Sequence, residues 1–338
     1  MRTVVLLALA AILLPLIGCG SDTSEDRPLV VYSGRSQNLV EPLLERFRET
    51  TGINVQARYG TDAELLVALA EEGQRSPAHI FWANTAGALG AAVEQGLLTG
   101  VPDSLLARPS AFVPSGGQWV PSSVRFRVLA YRPDANVADV LPADTRALPS
   151  IAQLQGRIGW TPTYSSFQDF VTAMRLTWGD DAARDWLRGM SALNPRSYPG
   201  NTAMLEALAA GEVDVALTNH YYVLRLLQRQ EGGAAPSVAM HRFAPGDPGN
   251  LALVTGAGIL QPGTEHPAAL RFLDFLLSEE AQQMIVDSVQ EYPILEGTRL
   301  VPGSIPFDEA RRLGPDLNSE QLRDLDGTLR LLREVGLL

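Results

Sequence analysis

Two α/β lobes are what this sequence predicts, on three observations. Apolar strand-like runs alternate with amphipathic helix-like segments from Leu29 onward, the order that builds a mainly parallel sheet with helices on its faces. The alternation breaks near Ser123–Tyr131, an extended run rich in Arg and Val, and then begins again. The chain has 338 residues, too many for one small core and enough for two of ordinary domain size.

Taken in order, Leu29 to Ser33 reads as a buried strand that stops at Gly34. Leu39 to Thr51 places Leu43, Leu44 and Phe47 on one helical face, and Gly52 closes it. Ile53 to Tyr59 alternates as a strand, Ala63 to Glu72 is helical up to Gly73, His79 to Trp82 is a short strand, and Ala86 to Gln95 is a helix ended by Gly96. In the second set, Arg157 to Trp160 is a strand, and Ser166 to Trp178, Ala182 to Met190 and Thr202 to Ala210 are helices. Val213 to Thr218 is a strand, Tyr222 to Gln230 a helix, and Val238 to Phe243 and Ala252 to Leu260 are strands around the turn at 246–249. The tail is mostly helical, with Ala268 to Leu277, Glu279 to Val286 and Asn318 to Val335 as its helices. The reading gives one lobe from 29–124 plus 245–300 and a second from 125–244 plus 301–338. Two crossings between lobes imply a cleft, and ligands of open α/β sheets gather at strand C-terminal ends and helix N-termini.

Residues before Leu29 have a different character. Arg2 precedes an apolar run from Val4 to Ile17 that ends in Leu16-Ile17-Gly18-Cys19. The run is shorter than the ~20 residues of a comfortable membrane span and reads as a secretory signal over 1–18. Leu-x-Gly-Cys resembles the bacterial lipobox, which makes Cys19 an expected lipidation site at the head of a polar tether, 19–28. Cys19 is the chain's only cysteine, so neither an internal disulfide nor a cysteine zinc site can form. A net charge of -11 argues against a nucleic-acid partner. There is no Gly-x-Ser-x-Gly elbow, no His-Glu-x-x-His and no Gly-rich phosphate loop, so an enzyme is not expected.

Leu217-Thr218-Asn219-His220-Tyr221-Tyr222 is the constellation that carries chemistry. Adjacent residues on a strand point to opposite faces, but at a strand-to-helix junction the second ring turns with the chain and both phenols can converge. Phenolate is a hard oxygen donor that suits Fe³⁺. Taken alone, the pair fits aromatic surface packing better than metal ligation. Arg35, in the loop after the first strand, offers a planar guanidinium for bidentate contact with carbonate or a carboxylate. Arg125 and Arg127 share one face of their strand, and Arg125 is the one carried as an anion contact. Asn201, at the start of its helix, could hydrogen-bond the anion or cap the helix, and the cap is the preferred reading.

Wider sequence context supports the ferric reading. Gly211-Glu212-Val213 leading to Asn219-His220-Tyr221-Tyr222 resembles the signature of bacterial ferric-ion-binding periplasmic proteins. So do Val31-Tyr32-Ser33-Gly34-Arg35-Ser36, Ser76 to Trp82, Gly156 to Trp160, Asp247-Pro248-Gly249 and Glu291-Tyr292-Pro293, over roughly residues 28 to 300. The resemblance implies a two-lobe periplasmic-binding-protein fold of type II, closing over Fe³⁺ and a synergistic anion such as carbonate, with the ligand in the interlobe cleft. It implies a monomer, outside the cytoplasm and held to the membrane only by its lipid anchor, that delivers iron to an ABC permease. By position, Tyr221 and Tyr222 match the family's paired ligands. The positions of a family His and Glu look like Ser36 and Asn84 here. In a subclass, a tyrosine of the loop 161–167 supplies a third phenolate, which is Tyr164. Ser165 and Ser166, at the start of the following helix, then form an anion cradle with its backbone N–H groups. A second reading keeps the fold and places an organic anion, a phosphonate or a sugar against Arg35, Trp82 and Trp160.

Overall fold

The computed structural model describes residues 27–230 and 236–338. The signal segment, Cys19 and the tether as far as residue 26 lie outside that range. Among the described residues are nine strands: β1 (Leu29–Ser33), β2 (Val55–Tyr59), β3 (Ile80–Ala83), β4 (Val120–Tyr131), β5 (Ile158–Trp160), β6 (Arg196–Ser197), β7 (Val215–Asn219), β8 (Ala239–His241) and β9 (Ala252–Ile259). They run in the order β2-β1-β3-β9-β4-β7-β5-β6, with β8 also paired to β4. β1 pairs in parallel with β2 and β3, and β5 with β6 and β7, as strand–helix–strand units require. β9 is antiparallel to both β3 and β4.

β4 joins two packing environments. Its first half pairs with β9 as far as Phe126, and its second half pairs with β7 from Arg127. Val124 and Phe126 belong to an apolar core with Phe47, Trp82 and Phe272, whereas Leu129 belongs to another with Trp160, Phe170 and Trp186. A third cluster, with Val128, Met204, Leu208 and Val223, covers the opposite face of the second half. One strand thus passes between cores, and the crossing falls between Phe126 and Val128.

The helices form where periodicity and caps agree. Helix Gln37–Thr51 buries Leu39, Val40, Leu43, Leu44 and Phe47, and Gly52, at φ 72°, donates its N–H to Arg48 O in the left-handed closure that glycine permits. Helix Asp62–Glu72 starts with a reciprocal box between Thr61 and Glu64. The tail departs from expectation. The Asn318–Val335 helix divides into a 3₁₀ segment Ser319–Arg323 and helix Leu325–Glu334, because Asp324 breaks the run and caps the second piece through Gly327 N–H. The helix from Glu279 ends at Met284 and widens into a π turn, Ile285–Val289, closed by Gln290 at φ 67°. Helix Phe307–Leu313 was not anticipated, and its Ala310 packs in the first core while Leu331 and Leu332 pack in the second. Residues 301–338 therefore serve both cores rather than the second alone.

The turn after β1 is tight for a reason that can be tested. A Cβ on Gly34 would lie 1.7 Å from Asp62 Oδ1 and 3.0 Å from Asn84 N. That Asp62 oxygen accepts the Asn84 N–H at 2.9 Å, and its partner oxygen accepts the Thr85 hydroxyl at 3.0 Å. Gly34→Ala should push this brace apart and cost about 1–3 kcal/mol, the usual range for overpacking. The check is a lowered urea midpoint at unchanged slope.

Candidate metal centre

Two strand-to-helix junctions present the phenols. β5 ends at Trp160, and Tyr164 occupies the N-cap of helix Ser165–Trp178 at φ -93°, ψ 136°. β7 ends at Asn219, the N-cap of helix His220–Gln228, so Tyr221 and Tyr222 fall in that helix's first turn. The rings of Tyr221 and Tyr222 stack obliquely, with centroids 4.1 Å apart and planes at 30°, rather than diverging as on a strand. Tyr164 Oη and Tyr222 Oη are 3.5 Å apart. Parallel pairing of β5 with β7 is what sets the two junctions side by side. The three phenols predicted from sequence are thus brought together.

Each of the three phenols has its pKa raised above the ordinary tyrosine value, first by burial and next by a neighbouring phenol: Tyr222 for Tyr164, Tyr164 for Tyr221 and Tyr221 for Tyr222. Arg35 acts in the opposite direction on all three. Without a cation the phenols stay neutral through the physiological range. A bound cation of high charge reverses that balance.

Arg35 is buried, with Nη1 2.8 Å from Glu291 Oε1 and 3.2 Å from both Asn84 Oδ1 and Thr255 Oγ1. Burial works against its charge, but Glu291, Tyr221 and Tyr164 together raise its pKa. Burial likewise opposes charge on Glu291, and Arg35 and Arg125 hold its pKa below the usual carboxylate value. Arg125 donates to Thr255 Oγ1 and to the Asn84 carbonyl, each at 2.7 Å. Two guanidinium groups and one carboxylate leave one positive charge beside three phenols. Ser165 Oγ accepts from Asn84 Nδ2 at 2.6 Å, a bond that joins the first core's side of the site to the second. The neutral residue where a family carboxylate was expected therefore ties the halves together. Ser36 lies at the cleft mouth as the N-cap of helix Gln37–Thr51.

Further polar groups belong to this region, and of their residues Thr161 and Asn219 were given no role from sequence. Arg127 Nη2, Thr161 Oγ, Ser166 Oγ, Asn201 Nδ2 and Asn219 Nδ2 are buried without a hydrogen-bond partner. Such atoms are costly unless something satisfies them. Arg127 donates to Asn219 Oδ1 at 3.3 Å and stacks over Phe170 at 4.9 Å, and burial, then Arg125, lowers its pKa to about 9. Asn201 is not the cap of its helix. Gly200 occupies that position, and Asn201 Oδ1 accepts the Thr218 hydroxyl at 3.1 Å, leaving its amide N–H groups free. The available signal was position: Thr161, Asn201 and Asn219 all stand at strand ends or helix starts.

His220, adjacent to the pair, faces the other way. Its Nδ1 accepts the Phe126 N–H at 3.1 Å, and burial, with Arg242 next, lowers its pKa to about 3, so it is a neutral brace on β4. Trp82 and Trp160 are core residues whose indole N–H groups already bond to Ser122 and Ser197. They are therefore not offered to a ligand.

The chain matches the family described as bacterial extracellular solute-binding protein over residues 29–288. It belongs to that family. Among its relatives, the Fe(3+)-binding periplasmic protein of Serratia marcescens is 28% identical, with 93% of this chain and 92% of the relative covered. Iron uptake protein A2 of Synechocystis sp. is 31% identical over 93% of this chain and 91% of the relative. The crystal structure of iron-bound HitA from Pseudomonas aeruginosa superposes with a TM-score of 0.85 at 32% identity, covering 91% of this chain and 99% of that one. The solute-binding protein described here therefore has the mixed α/β, two-lobe fold expected from sequence, with the phenols near the crossing of β4. Among the described residues no helix is long and apolar enough to cross a membrane.

Proposed function

We propose that this solute-binding protein captures Fe³⁺ through Tyr164, Tyr221 and Tyr222, together with a small synergistic anion, and passes it to an ABC permease. The observation that carries the reading is the convergence of three phenols, Tyr221 buried and Tyr164 and Tyr222 half-buried, from two adjacent strand-to-helix junctions. Three phenolates balance the charge of the ferric ion, and a bidentate anion would bring the donors to five, leaving a sixth position for water. Arg35, Arg125, Ser165 and Ser166 are the proposed anion contacts, and the unpartnered groups of Arg127, Thr161, Asn201 and Asn219 extend the donor set available to it. Carbonate is the anion favoured by the planar Arg35 guanidinium. The relatives named above support iron as cargo. No chemical step is assigned, and the protein acts as a carrier. Residues 29–124 with 245–300, and 125–244 with the C-terminal helix, are the proposed lobes that close by hinge motion at β4 and β9. The protein works as a monomer outside the cytoplasm, anchored through lipid on Cys19.

Titrating the metal-stripped protein with Fe³⁺, with and without bicarbonate, tests the reading. A visible tyrosinate-to-iron charge-transfer band that saturates at one iron per chain and deepens with bicarbonate is the expected result. If no band appears with any small anion, the tyrosines are not iron ligands, and organic anions at Arg35 become the cargo to test.

A further inference from the structure

Two carboxylates meet where the halves of the molecule join. Asp62 opens helix Asp62–Glu72, whose Leu65 and Leu69 pack in the first core. Asp169 lies in helix Ser165–Trp178, whose Phe167 and Phe170 pack in the second. Both are buried, and both line a small cavity of about 40 Å³, with Thr61 and Thr85 on one side and Thr163 and Gln168 on the other. Glycines leave the room they occupy. A Cβ on Gly34 would collide with Asp62 Oδ1, and one on Gly87, in helix Ala86–Glu94, would lie 3.0 Å from Asp169 Oδ1. The two acids differ in their partners. Asp62 accepts the Asn84 N–H and the Thr85 hydroxyl, whereas Asp169 Oδ2 is buried with no hydrogen-bond partner among the described residues. Arg125 on β4 is the cation that acts on both, but it gives its hydrogen bonds to Thr255 and to the Asn84 carbonyl. Charged groups on the other elements around Asp169 are engaged elsewhere. Glu94 pairs with Arg323, Arg175 with Asp180 and Asp324, and Arg184 with Asp181, while Asp247 accepts from Thr145 and Gly249.

An ionised Asp169 in this arrangement would combine two costs. It would be buried with an oxygen that nothing solvates, and it would repel Asp62. Burial first, and Asp62 next, raise its pKa to about 8 against the pull of Arg125. Opening the cleft draws the two helices apart and admits water, which returns Asp169 to the ordinary carboxylate range near ~4. We infer that Asp169 takes up a proton each time the lobes close, so that Asp62 and Asp169 form an acid latch across the junction and closure is coupled to one proton. This rests on the hinge closure over iron proposed above. It adds a proton-linked step that none of the metal or anion contacts supplies. Below both pKa values Asp169 is protonated open or closed, and the latch favours neither form. Between them closing consumes a proton, so the closed form loses ground by up to about tenfold for each pH unit of rise. Above about pH 8 Asp169 stays ionised in the closed form, and the penalty levels off. The effect opposes that of the phenols, which release protons as iron binds.

The test has an iron arm and an iron-free arm. In the first, wild type, Asp169→Asn and Asp169→Ala are titrated with Fe³⁺ plus bicarbonate at several pH values, reading the charge-transfer band and the protons released. The ratio of Asn-variant to wild-type affinity should grow about tenfold per pH unit between about pH 5 and 7 and level off above about pH 8. Near pH 6 wild type should release about one proton fewer per iron than the Asn variant. The Ala variant should show the same slope, because either change removes the titrating group. A packing role alone would shift affinity equally at every pH, so ratios flat with pH in both variants, with equal proton counts, overturn the inference while leaving the ferric site standing. In the second arm, Asn84→Cys and Ser165→Cys, made with Cys19→Ser, are joined by a short bis-thiol cross-linker across the 2.6 Å contact between residues 84 and 165, which holds the metal-free lobes together. The infrared band of a protonated Asp169 carboxyl is identified by its loss in Asp169→Asn. It should persist to near-neutral pH in the cross-linked protein and disappear by about pH 5 without the cross-linker. A band that behaves alike with and without the cross-linker overturns the inference. If wild type gives no charge-transfer band, the ferric reading fails, and the cross-linked protein alone decides the latch.

Discussion

Converting Tyr221 and Tyr222 together to Phe should remove the charge-transfer band and weaken ferric binding by more than about 1,000-fold. The magnitude follows from comparison. Groups that merely support a ligand cost about 10- to 100-fold when lost, and here two direct oxygen donors disappear from a set of three. The loss should not be one of folding. Phe keeps the ring, so the oblique stack at 4.1 Å and the packing of Tyr221, which is 1% exposed, can survive. The hydroxyls removed are held in the metal-free state by little more than the 3.5 Å contact between Tyr164 and Tyr222. Thermal unfolding without iron should therefore match wild type within a few degrees. A double variant that still binds iron tightly would show that the donors lie elsewhere. One that unfolds early would show that the hydroxyls brace the cleft.

The alternation of apolar runs with glycine-closed helices was legible in sequence because each signal is local: Leu43, Leu44 and Phe47 share a face, and Gly52 closes the helix. The Tyr-Tyr junction was legible because a strand end and a helix start meet within four residues. Tyr164 came from resemblance alone. Nothing local to residues 161–167 places its hydroxyl beside that of Tyr222, which depends on β5 pairing with β7 across more than fifty residues. Thr161 and Asn219 were given no role, and Asn201 was read first as a cap, for a related reason. A polar residue at a strand end reads as exposed until the fold buries it, and only burial makes its unpaired N–H or O–H conspicuous. Arg35 was read as free to hold an anion, but it also carries a structural load in its contact with Glu291, 256 residues away in the chain. The tail was misread as one helix because Asp324 interrupts an otherwise continuous pattern, and a single capping side chain outweighs periodicity there.

Iron uptake should release protons, and the count identifies Tyr164. Burial and mutual repulsion hold all three phenols above the ordinary tyrosine pKa, so between about pH 5 and 9 each is protonated in the metal-free protein. Each that becomes a ligand loses its proton, so affinity rises with pH and falls as acid competes for the oxygens, by about tenfold per pH unit per phenol. Iron hydrolysis and the protonation of any delivering chelator add their own slopes, so the useful quantity is a difference. Tyr164→Phe leaves two phenols to ionise. It should therefore release about one proton fewer per iron than wild type in a pH-stat titration at saturating iron. By the same linkage, the ratio of wild-type to variant affinity should grow about tenfold for each pH unit of rise and narrow at low pH, where the third phenolate is hardest to form. A ratio that stays flat with pH, with equal proton counts, would remove Tyr164 from the coordination sphere. It would then act only as a neutral neighbour of Tyr222, and the anion would have to supply the missing charge. A difference of one proton would place three phenolates on the metal. The same charge balance would also explain how the chain dispenses with a carboxylate ligand at Asn84, whose amide bonds to Ser165 across the cleft.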